Sequence, residues 1–121
     1  MCFVVDSSIY LCYSRRMETK SLVEATAALA QITRIKVVAK LAEHGEEGLP
    51  AGELAKLLAT PANTMSTHLA ILARAGVVTA ERCGRGVTYR LVPDTLRRIA
   101  EQLAEIAATS GKNSSRDRAA S

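Results

Sequence analysis

The stretch LPAGELAKLLATPANTMSTHLAILARAGVVTAERCGRGVTYRL, residues Leu49–Leu91, decides the fold of this chain. Its first part has apolar residues at helical spacing over 52–59. A second helix is predicted after Thr60 and Pro61, because Thr suits a helix cap and Pro suits the first helical position. Gly76 would end that helix in a left-handed conformation. Two short helices that meet at a tight break are typical of a helix–turn–helix.

The second predicted helix has one apolar face and one polar face. Met65, Leu69 and Leu72 belong to the apolar stripe, and short hydrogen-bonding side chains occupy the opposite face of the first two turns. A recognition helix needs this arrangement, because its N-terminal residues reach base edges in the major groove. The predicted DNA contacts of this helix are Asn63, Thr64, Ser66, Thr67, His68 and Arg74.

A short β-hairpin, or wing, is predicted directly after this helix. Residues 77–82 and 87–92 have the alternation and β-branched content of strands, and the glycine-containing segment 83–86 is a turn. Guanidinium groups on such a hairpin grip phosphates or enter a minor groove, although a solvated charged face is the plainer alternative. The predicted DNA contacts of the wing are Arg82, Arg85 and Arg90.

The segment NTMSTHLAILARAGVVTAERCGRGVTYRL resembles the arsenic-repressor (ArsR-type) family of bacterial winged-helix repressors. Members show T-x-S-x-H-L-x-x-L-x-x-A-G-L-V, followed by a charged, glycine-containing wing that ends in Tyr-Arg-Leu. The matching positions are Thr64, Ser66, His68, Leu69, Leu72, Ala75, Gly76, Val78, Gly84, Arg85, Tyr89 and Arg90. Upstream, LAQITRIKVVAKL at Leu29–Leu41 is similar to the family's second helix. The resemblance implies a mainly α winged helix–turn–helix of about five helices with a small β-hairpin.

Helices are also predicted over 21–30, 32–43 and 94–108, and a small strand at 49–50 would pair with the wing. The inward face of the helix over 32–43 would consist of Ile35, Val38, Ala39 and Ala42. The first and last helices have apolar surface that a lone winged helix cannot cover. They would form a two-fold dimer that binds an inverted-repeat operator, as the resemblance also implies. The predicted interface residues are Leu22, Ala25, Leu29, Leu96, Ile99, Leu103 and Ile106.

Composition is consistent with one small domain, predicted over 17–108, in a chain of 121 residues. A net charge of +4 and a pI near 9.2 permit a nucleic-acid partner but do not prove one. The apolar runs are too short to span a membrane, so we expect a cytoplasmic protein. Residues 109–121 are polar and are predicted to be disordered. Residues 1–16 are either an over-extended start before Met17 or an added strand or helix on the dimer surface.

The sequence does not identify the inducer that would release such a repressor from DNA. The resemblance implies a Cys pair in the helix before the recognition helix or near the C-terminus, or Asp and His ligands on the last helix. The first of these helices has no Cys and the last has neither His nor Cys, so no metal cofactor is predicted. The alternative is a thiol site for arsenite or oxidants, formed by Cys2, Cys12 and Cys83. Arginines beside Cys83 favour its thiolate and a redox role, although an exposed cysteine without function is the plainer interpretation.

Other function classes have less support in the sequence. An enzyme is not predicted, because a phosphate-cradling glycine loop, an acid–base pair and a Ser–His–Asp set with plausible spacing are all missing. A protein-interaction module that kept only the dimer face is the second alternative, but the polar helix face and the arginine wing favour DNA. We therefore predict a homodimeric transcriptional repressor with recognition helix 61–75 in the major groove and wing 81–90 on the flanking backbone.

Overall fold

The computed structural model describes the backbone of residues 2–4 and 18–120, and the side chains of residues 18–110. Within these ranges the chain forms five α-helices, four strands and one short 3-10 helix. In chain order they are β1 (Cys2–Val4), α1 (Thr19–Leu29), α2 (Ile32–His44), the 3-10 helix (Gly45–Glu47), β2 (Leu49–Pro50), α3 (Ala51–Leu57), α4 (Ala62–Arg74), β3 (Val78–Cys83), β4 (Gly86–Leu91) and α5 (Pro93–Ala120). This order confirms the predicted winged helix–turn–helix.

The strands form one antiparallel sheet in the order β1-β3-β4-β2. Strands β3 and β4 are the predicted wing, and Cys83 pairs with Gly86 across a two-residue turn. Gly84, the first turn residue, has φ +62°, while Arg85 is not among the residues of positive φ. This is the type II′ pattern, in which glycine takes the first central position. Strand β2 pairs with β4, as the sequence predicted.

Residues 2–4 add a strand to the wing. Strand β1 pairs with β3 in the register Cys2–Cys83, Phe3–Arg82 and Val4–Glu81. Of the two predicted forms, strand or helix, the structure shows a strand for residues 2–4. The open edge of β3 offers unpaired backbone groups that this added strand satisfies, and a place on the dimer surface stays a prediction. Residues 5–17, on which the rest of that prediction falls, lie outside the described residues.

The core lies where the helices meet the sheet, and aliphatic side chains build it. Ala25 of α1, Leu41 of α2 and Leu54 of α3 are fully buried. The apolar stripe of α4 is buried against them, and it closes the core below the sheet. The fully buried members of that stripe are Met65, Leu69 and Leu72. Burial of side chains this large contributes about 1.5–3 kcal/mol each.

The predicted inward face of α2 was wrong at three of four positions. Ile35 is 49% exposed, and Ala39 and Ala42 are also exposed, whereas the core receives a different stripe. That stripe consists of Val37, Val38 and Leu41. Both stripes satisfy helical spacing, so periodicity does not separate them. The contacts with the other helices and the sheet decide between them, and the core cluster receives Val37, Val38 and Leu41.

Both ends of α4 differ in detail from the prediction. Pro61 is the N-cap residue, one position later than the predicted Thr60, and the Thr60 hydroxyl donates to the Leu58 carbonyl at 3.0 Å. At the other end Gly76 has φ +81°, which confirms the predicted left-handed residue. The buried Thr95 hydroxyl donates to the Gly76 carbonyl at 2.7 Å and ties α5 to this end of α4.

The last helix is longer than predicted. The sequence predicted an end near residue 108 and a disordered segment over 109–121, whereas helix α5 continues to Ala120. A polar composition argues against a separate packed core but not against extension of a helix that already exists. Nucleation is the costly step in helix formation, and the part of α5 packed through Ile99 supplies the nucleus.

Replacement of Gly48 with Ala is expected to destabilise the protein strongly. Gly48 has φ +68°, and a Cβ there would lie 2.4 Å from the Tyr89 carbonyl oxygen. Gly45→Ala is the matched control, since Gly45 has φ +53° but no atom within 4 Å of its would-be Cβ. The conformational cost is about 1–3 kcal/mol at both sites, and the overlap adds about 1–3 kcal/mol at Gly48 alone. Urea unfolding of both variants measures the difference, and equal destabilisation of the two would contradict this steric role of Gly48.

Candidate nucleic-acid interface

One face of α4 is exposed along its whole length. Asn63, Thr67, Ala70 and Arg74 follow one another at spacings of four, three and four residues, and all four are exposed. This stripe is opposite the buried one, as the 3.6-residue period requires. Two further predicted DNA contacts, Thr64 and Ser66, are exposed on either side of it.

The N-terminal half of this face offers hydrogen-bonding groups and a positive helix end. The Thr67 hydroxyl donates to the Asn63 carbonyl at 3.2 Å, so its oxygen lone pairs remain free to accept. The N-cap, Pro61, makes no side-chain cap bond, and the first turn has no acidic residue. The free backbone N–H groups and the helix dipole therefore favour a negatively charged partner at this end.

Ala70 was absent from the predicted DNA contacts, yet the structure places it in the centre of the exposed stripe. Its position three residues after Thr67 and seven after Asn63 was the signal that could have found it. An exposed methyl group in this place can contact the methyl group of thymine, as Ala does in major-groove readout.

Arg74 lies at the other end of the helix from the polar cluster. With a rise of about 1.5 Å per residue, its Cα is about 16 Å along the axis from that of Asn63. Its side chain lines an open groove of about 280 Å³ between α1, α2 and α4, together with Glu24 and Arg34. The structure therefore does not bring Arg74 together with the N-terminal DNA-contact candidates.

His68 does not share the exposed face, which corrects its prediction as a DNA contact. Only 9% of the residue is exposed, and Arg34 Nε donates to His68 Nδ1 at 3.2 Å. The same guanidinium donates through Nη1 to the Ala28 carbonyl at 3.3 Å. His68 follows the core residue Met65 by three positions, so helical geometry turns it inward. Arg34 thus connects α1, α2 and α4. It was not among the predicted site residues, although the Thr33-Arg34 pair in the family-like segment Leu29–Leu41 could have indicated its role.

Two of the three wing arginines predicted to contact DNA are exposed to solvent. Arg82 and Arg85 are exposed, and neither has an ion-pair partner among the described residues. Arg85 occupies the second position of the tight turn, so it projects from the tip of the hairpin. These two side chains provide the positive charge that phosphate contacts require.

Arg90 makes structural contacts within the protein, and its contact with DNA stays a prediction. Its Nη1 lies 2.8 Å from Glu81 Oε2 across the hairpin, and its Nε donates to the Glu46 carbonyl. The Arg90 side chain is 29% exposed and the Glu81 side chain 14%. The guanidinium thus joins both wing strands to the 3-10 helix, and this fixes the base of the wing against the domain.

Cys83 ends β3 and is disulfide-bonded. Its Sγ lies 3.3 Å from Glu81 Oε1. Because a disulfide sulfur carries no proton, this approach is a contact and not a hydrogen bond. The charged group beside the sulfur is thus a carboxylate, whereas the sequence argument considered only the flanking arginines.

The predicted dimer residues divide into two groups. Ala25 and Ile99 are buried within the protomer, and Leu22, Leu29 and Leu96 are partly buried against the same core, so these five stabilise the domain itself. Their contact with a second copy stays a prediction. Leu103 and Ile106 are 50% and 63% exposed, and Val23 of α1, absent from the prediction, is 59% exposed.

Neither a membrane-spanning helix nor a metal-ion cluster occurs in the described part of the chain. None of its helices combines the length and apolarity that a bilayer crossing needs. Its side chains form no group of three or more His, Cys, Asp or Glu that could hold a metal ion. The predicted lack of a metal cofactor and the alternative of a thiol site both stay predictions.

The comparisons with known proteins agree with this architecture. A family model described as a helix-turn-helix domain matches residues 29–81. The HTH-type transcriptional repressor SmtB of Mycobacterium tuberculosis is 43% identical over 76 residues, which are 63% of this chain and 54% of SmtB. The chain thus spans about half the length of the curated relatives that it matches.

Solved structures extend the likeness over most of the chain. An ArsR-like transcriptional regulator from Rhodococcus sp. RHA1 has a TM-score of 0.72 at 26% identity, over 82% of this chain and 91% of that one. The AntR antimony-specific transcriptional repressor has a TM-score of 0.57 at 30% identity, over 78% of this chain and 84% of that one.

Replacement of His68 with Ala is expected to lower the free energy of unfolding by about 2–4 kcal/mol, because it opens a cavity and leaves the Arg34 Nε unpaired. Ser66→Ala is the control, since this neighbouring helix residue is exposed and its change is expected to stay within about 0.5 kcal/mol. Chemical denaturation of both variants provides the measurement. A His68 variant as stable as the Ser66 variant would contradict the structural role given to His68.

Proposed function

We propose that this chain is a member of the ArsR-type family of winged helix–turn–helix regulators and acts as a homodimeric, DNA-binding transcriptional repressor. The observation that carries this proposal is the exposed polar face at the N-terminal half of α4, presented together with a wing that has two exposed arginines, Arg82 on β3 and Arg85 at the tip.

The recognition helix enters the major groove with its N-terminal half. Asn63 has an amide that can read adenine through two hydrogen bonds, and Thr64 and Thr67 can contact base edges or phosphates. A first turn without acidic residues and the helix dipole favour a nearby phosphate. Met65, Leu69 and Leu72, buried on the opposite side, hold this face outward.

The wing contacts the flanking backbone. Arg85 at the tip and Arg82 on β3 are the two wing arginines that the fold leaves unpaired among described groups. Arg90 binds Glu81 and Glu46 and so holds the base of the hairpin in place. Because the hairpin is fixed, less conformational entropy is lost when Arg82 and Arg85 bind phosphate. This support is the reason to separate Arg90 from the two DNA-contact arginines.

A two-fold dimer covers the apolar surface that the protomer leaves open. Val23 of α1 and Leu103 and Ile106 of α5 are each at least half exposed, and both helices lie outside the helix–turn–helix. Two copies joined through α1 and α5 would place two recognition helices about one DNA turn, roughly 34 Å, apart. The operator is then an inverted repeat, and an inducer that alters the spacing of the two helices would release the repressor.

The first test is selection of duplexes from random-sequence DNA by the full chain under reducing conditions, followed by sequencing. We expect an inverted repeat whose half-sites are about one helical turn apart. Enrichment of no sequence at all would contradict the proposal and favour the alternative of a protein-interaction module.

Replacement of Arg85 with Ala is expected to weaken operator binding and to reduce the slope of log K against log salt concentration by about one unit for each phosphate that the side chain neutralises. Arg97→Ala is the charge-matched control, because exposed Arg97 lies near the Thr95–Gly76 hydrogen bond, at the end of α4 remote from Asn63. Fluorescence anisotropy at several salt concentrations gives both quantities. An unchanged slope for the Arg85 variant would show that the wing tip contacts no phosphate.

Replacement of Leu103 with Glu is expected to yield monomers, because a carboxylate in an apolar interface is desolvated without a partner. Leu57→Glu is the matched control, since Leu57 in α3 is 49% exposed and Leu103 is 50% exposed. Sedimentation equilibrium measures the oligomeric state, and circular dichroism confirms that both variants fold. A dimeric Leu103 variant, or a monomeric Leu57 variant, would contradict the α1–α5 interface.

A further inference from the structure

A groove between three helices contains an arginine whose charge has no carboxylate partner in the described fold. The groove has a volume of about 280 Å³ and lies between α1, α2 and α4, and Arg34 of α2 is part of its wall. Arg34 is half-buried and forms no ion pair with a described residue. The other half-buried arginines of residues 18–110, Arg90 and Arg98, are paired with carboxylates at 2.8 and 3.0 Å. A partly desolvated charge without a counter-ion is costly, so Arg34 is suited to bind an anion.

The hydrogen bonds of Arg34 leave one of its nitrogens available. Its Nε donates to His68 Nδ1 at 3.2 Å and its Nη1 donates to the Ala28 carbonyl at 3.3 Å. Neither acceptor is a carboxylate, and Nη2 has no hydrogen-bond partner among the described residues. Hydrogen bonds from a guanidinium to an ionised acceptor are roughly twice as strong as those between neutral groups. A carboxylate in the groove therefore gains more from this side chain than its present acceptors do.

The charged side chains that line the groove favour an anion over a neutral or positive ligand. Arg34 and Arg74 contribute positive charges, and Glu24 contributes a negative one. Glu24 and Arg74 are exposed, and neither forms an ion pair with a described residue. Glu24 thus offsets only one of the two positive charges, and the remaining charge attracts a negatively charged group.

The rest of the lining is apolar and determines the kind of anion. Ala27 and Ala28 of α1 and Ile71 and Ala75 of α4 complete the wall. Inorganic phosphate or sulfate would leave this surface uncovered, whereas an apolar ligand body removes it from water. Pockets for drug-sized ligands have volumes of about 300–1,000 Å³, so this groove suits a smaller molecule. The matching chemistry is a small organic acid with an aromatic or branched aliphatic body.

We propose that this groove is an effector site for a small organic acid, and that occupation of the site lowers affinity for the operator. The carboxylate of the ligand binds Arg34 and Arg74, and its apolar body packs on the alanines of α1 and on Ile71. The effect on DNA rests on the proposed function, whereas binding of the acid does not.

The walls of the groove connect the ligand to the recognition helix. Arg34 holds the middle of α4 through His68, and Ile71 and Arg74 belong to α4 itself. A carboxylate competes with His68 Nδ1 for the guanidinium, and the charge-assisted bond is the stronger of the two. The ligand therefore weakens a contact that orients α4, so less of the protein is preorganised for the major groove. The opposite wall is α1, whose Val23 belongs to the proposed dimer surface.

The first arm of the test measures binding without DNA. The ¹⁵N-labelled full chain is titrated with benzoate, 3-methylbutanoate and the neutral benzamide, and NMR follows the backbone amide and arginine Nε–H signals. Both acids are expected to bind with a Kd of about 1 mM or lower and to shift the signals of Ala27, Ile71 and the Arg34 Nε–H. Benzamide should bind about tenfold more weakly, because it lacks the charge. No binding of either acid, or equal affinity for benzamide, would overturn the proposal.

Two pairs of variants test the location of the site. Arg74→Glu reverses a charge of the groove and Ala27→Phe fills its apolar part, so each is expected to lower benzoate affinity by about tenfold or more. The matched controls, Arg97→Glu in α5 and Ala39→Phe in α2, replace residues outside the lining and should bind benzoate like the wild type. All of these positions are exposed, and circular dichroism confirms that the variants fold. Unchanged affinity of either groove variant would overturn the assignment of the site.

The second arm measures affinity for the duplex selected by the full chain, by fluorescence anisotropy at constant ionic strength. Saturating benzoate is expected to weaken binding of the wild type and of Ala39→Phe by about fivefold or more. Ala27→Phe should not respond, and it is used here because Arg74 is itself a predicted DNA contact. Equal affinity of the wild type with and without benzoate, or a full response of Ala27→Phe, would overturn the effector role. Failure of the full chain to select any DNA would instead refute the proposed function, and the first arm would still report on the site.

Discussion

The burial of one stripe of α4 is the constraint on which the rest of the structure depends. Met65, Leu69 and Leu72 are fully buried, and together their burial contributes several kcal/mol at about 1.5–3 kcal/mol per side chain. A helix held in this way cannot rotate about its axis without exposure of that apolar area. The exposed stripe that starts at Asn63 is therefore fixed outward by the core, and the hydrogen-bonding groups of the recognition helix are oriented before DNA arrives.

Polar contacts then fix the middle and the C-terminal end of this helix and the support of the wing. Arg34 connects His68 to the Ala28 carbonyl, so that α1 and α2 are linked to the middle of the recognition helix. At the C-terminal end, Thr95 donates to the Gly76 carbonyl and anchors α5. Arg90 links the two strands of the hairpin through Glu81 and anchors the hairpin to the 3-10 helix through the Glu46 carbonyl. Two side chains with the chemistry of DNA contacts, His68 and Arg90, thus hold in place the parts that are proposed to contact DNA.

The apolar residues of α5 divide into a buried group and an exposed group. Ile99 of α5 is buried in the protomer, whereas Leu103 and Ile106, four and seven residues later, extend beyond the domain and stay exposed. One helical stripe therefore stabilises the domain in its first turns and stays exposed in the following ones. The proposed dimer contact of α5 would thus be connected, through Thr95, to the end of α4.

The sequence by itself determined the order of elements, the helix–turn–helix and wing, the left-handed Gly76 and the strand at Leu49-Pro50, because periodicity and turn chemistry are local properties. Local patterns did not determine which of two periodic stripes of α2 faces inward, the hydrogen bond of His68 to Arg34 or that of Arg90 to the Glu46 carbonyl, since each depends on a neighbour distant in sequence. The location of β1 is of the same kind, because strand pairing joins residues about eighty positions apart. Tertiary structure decided these points, for the physical reason that burial and partner choice are properties of the assembled core.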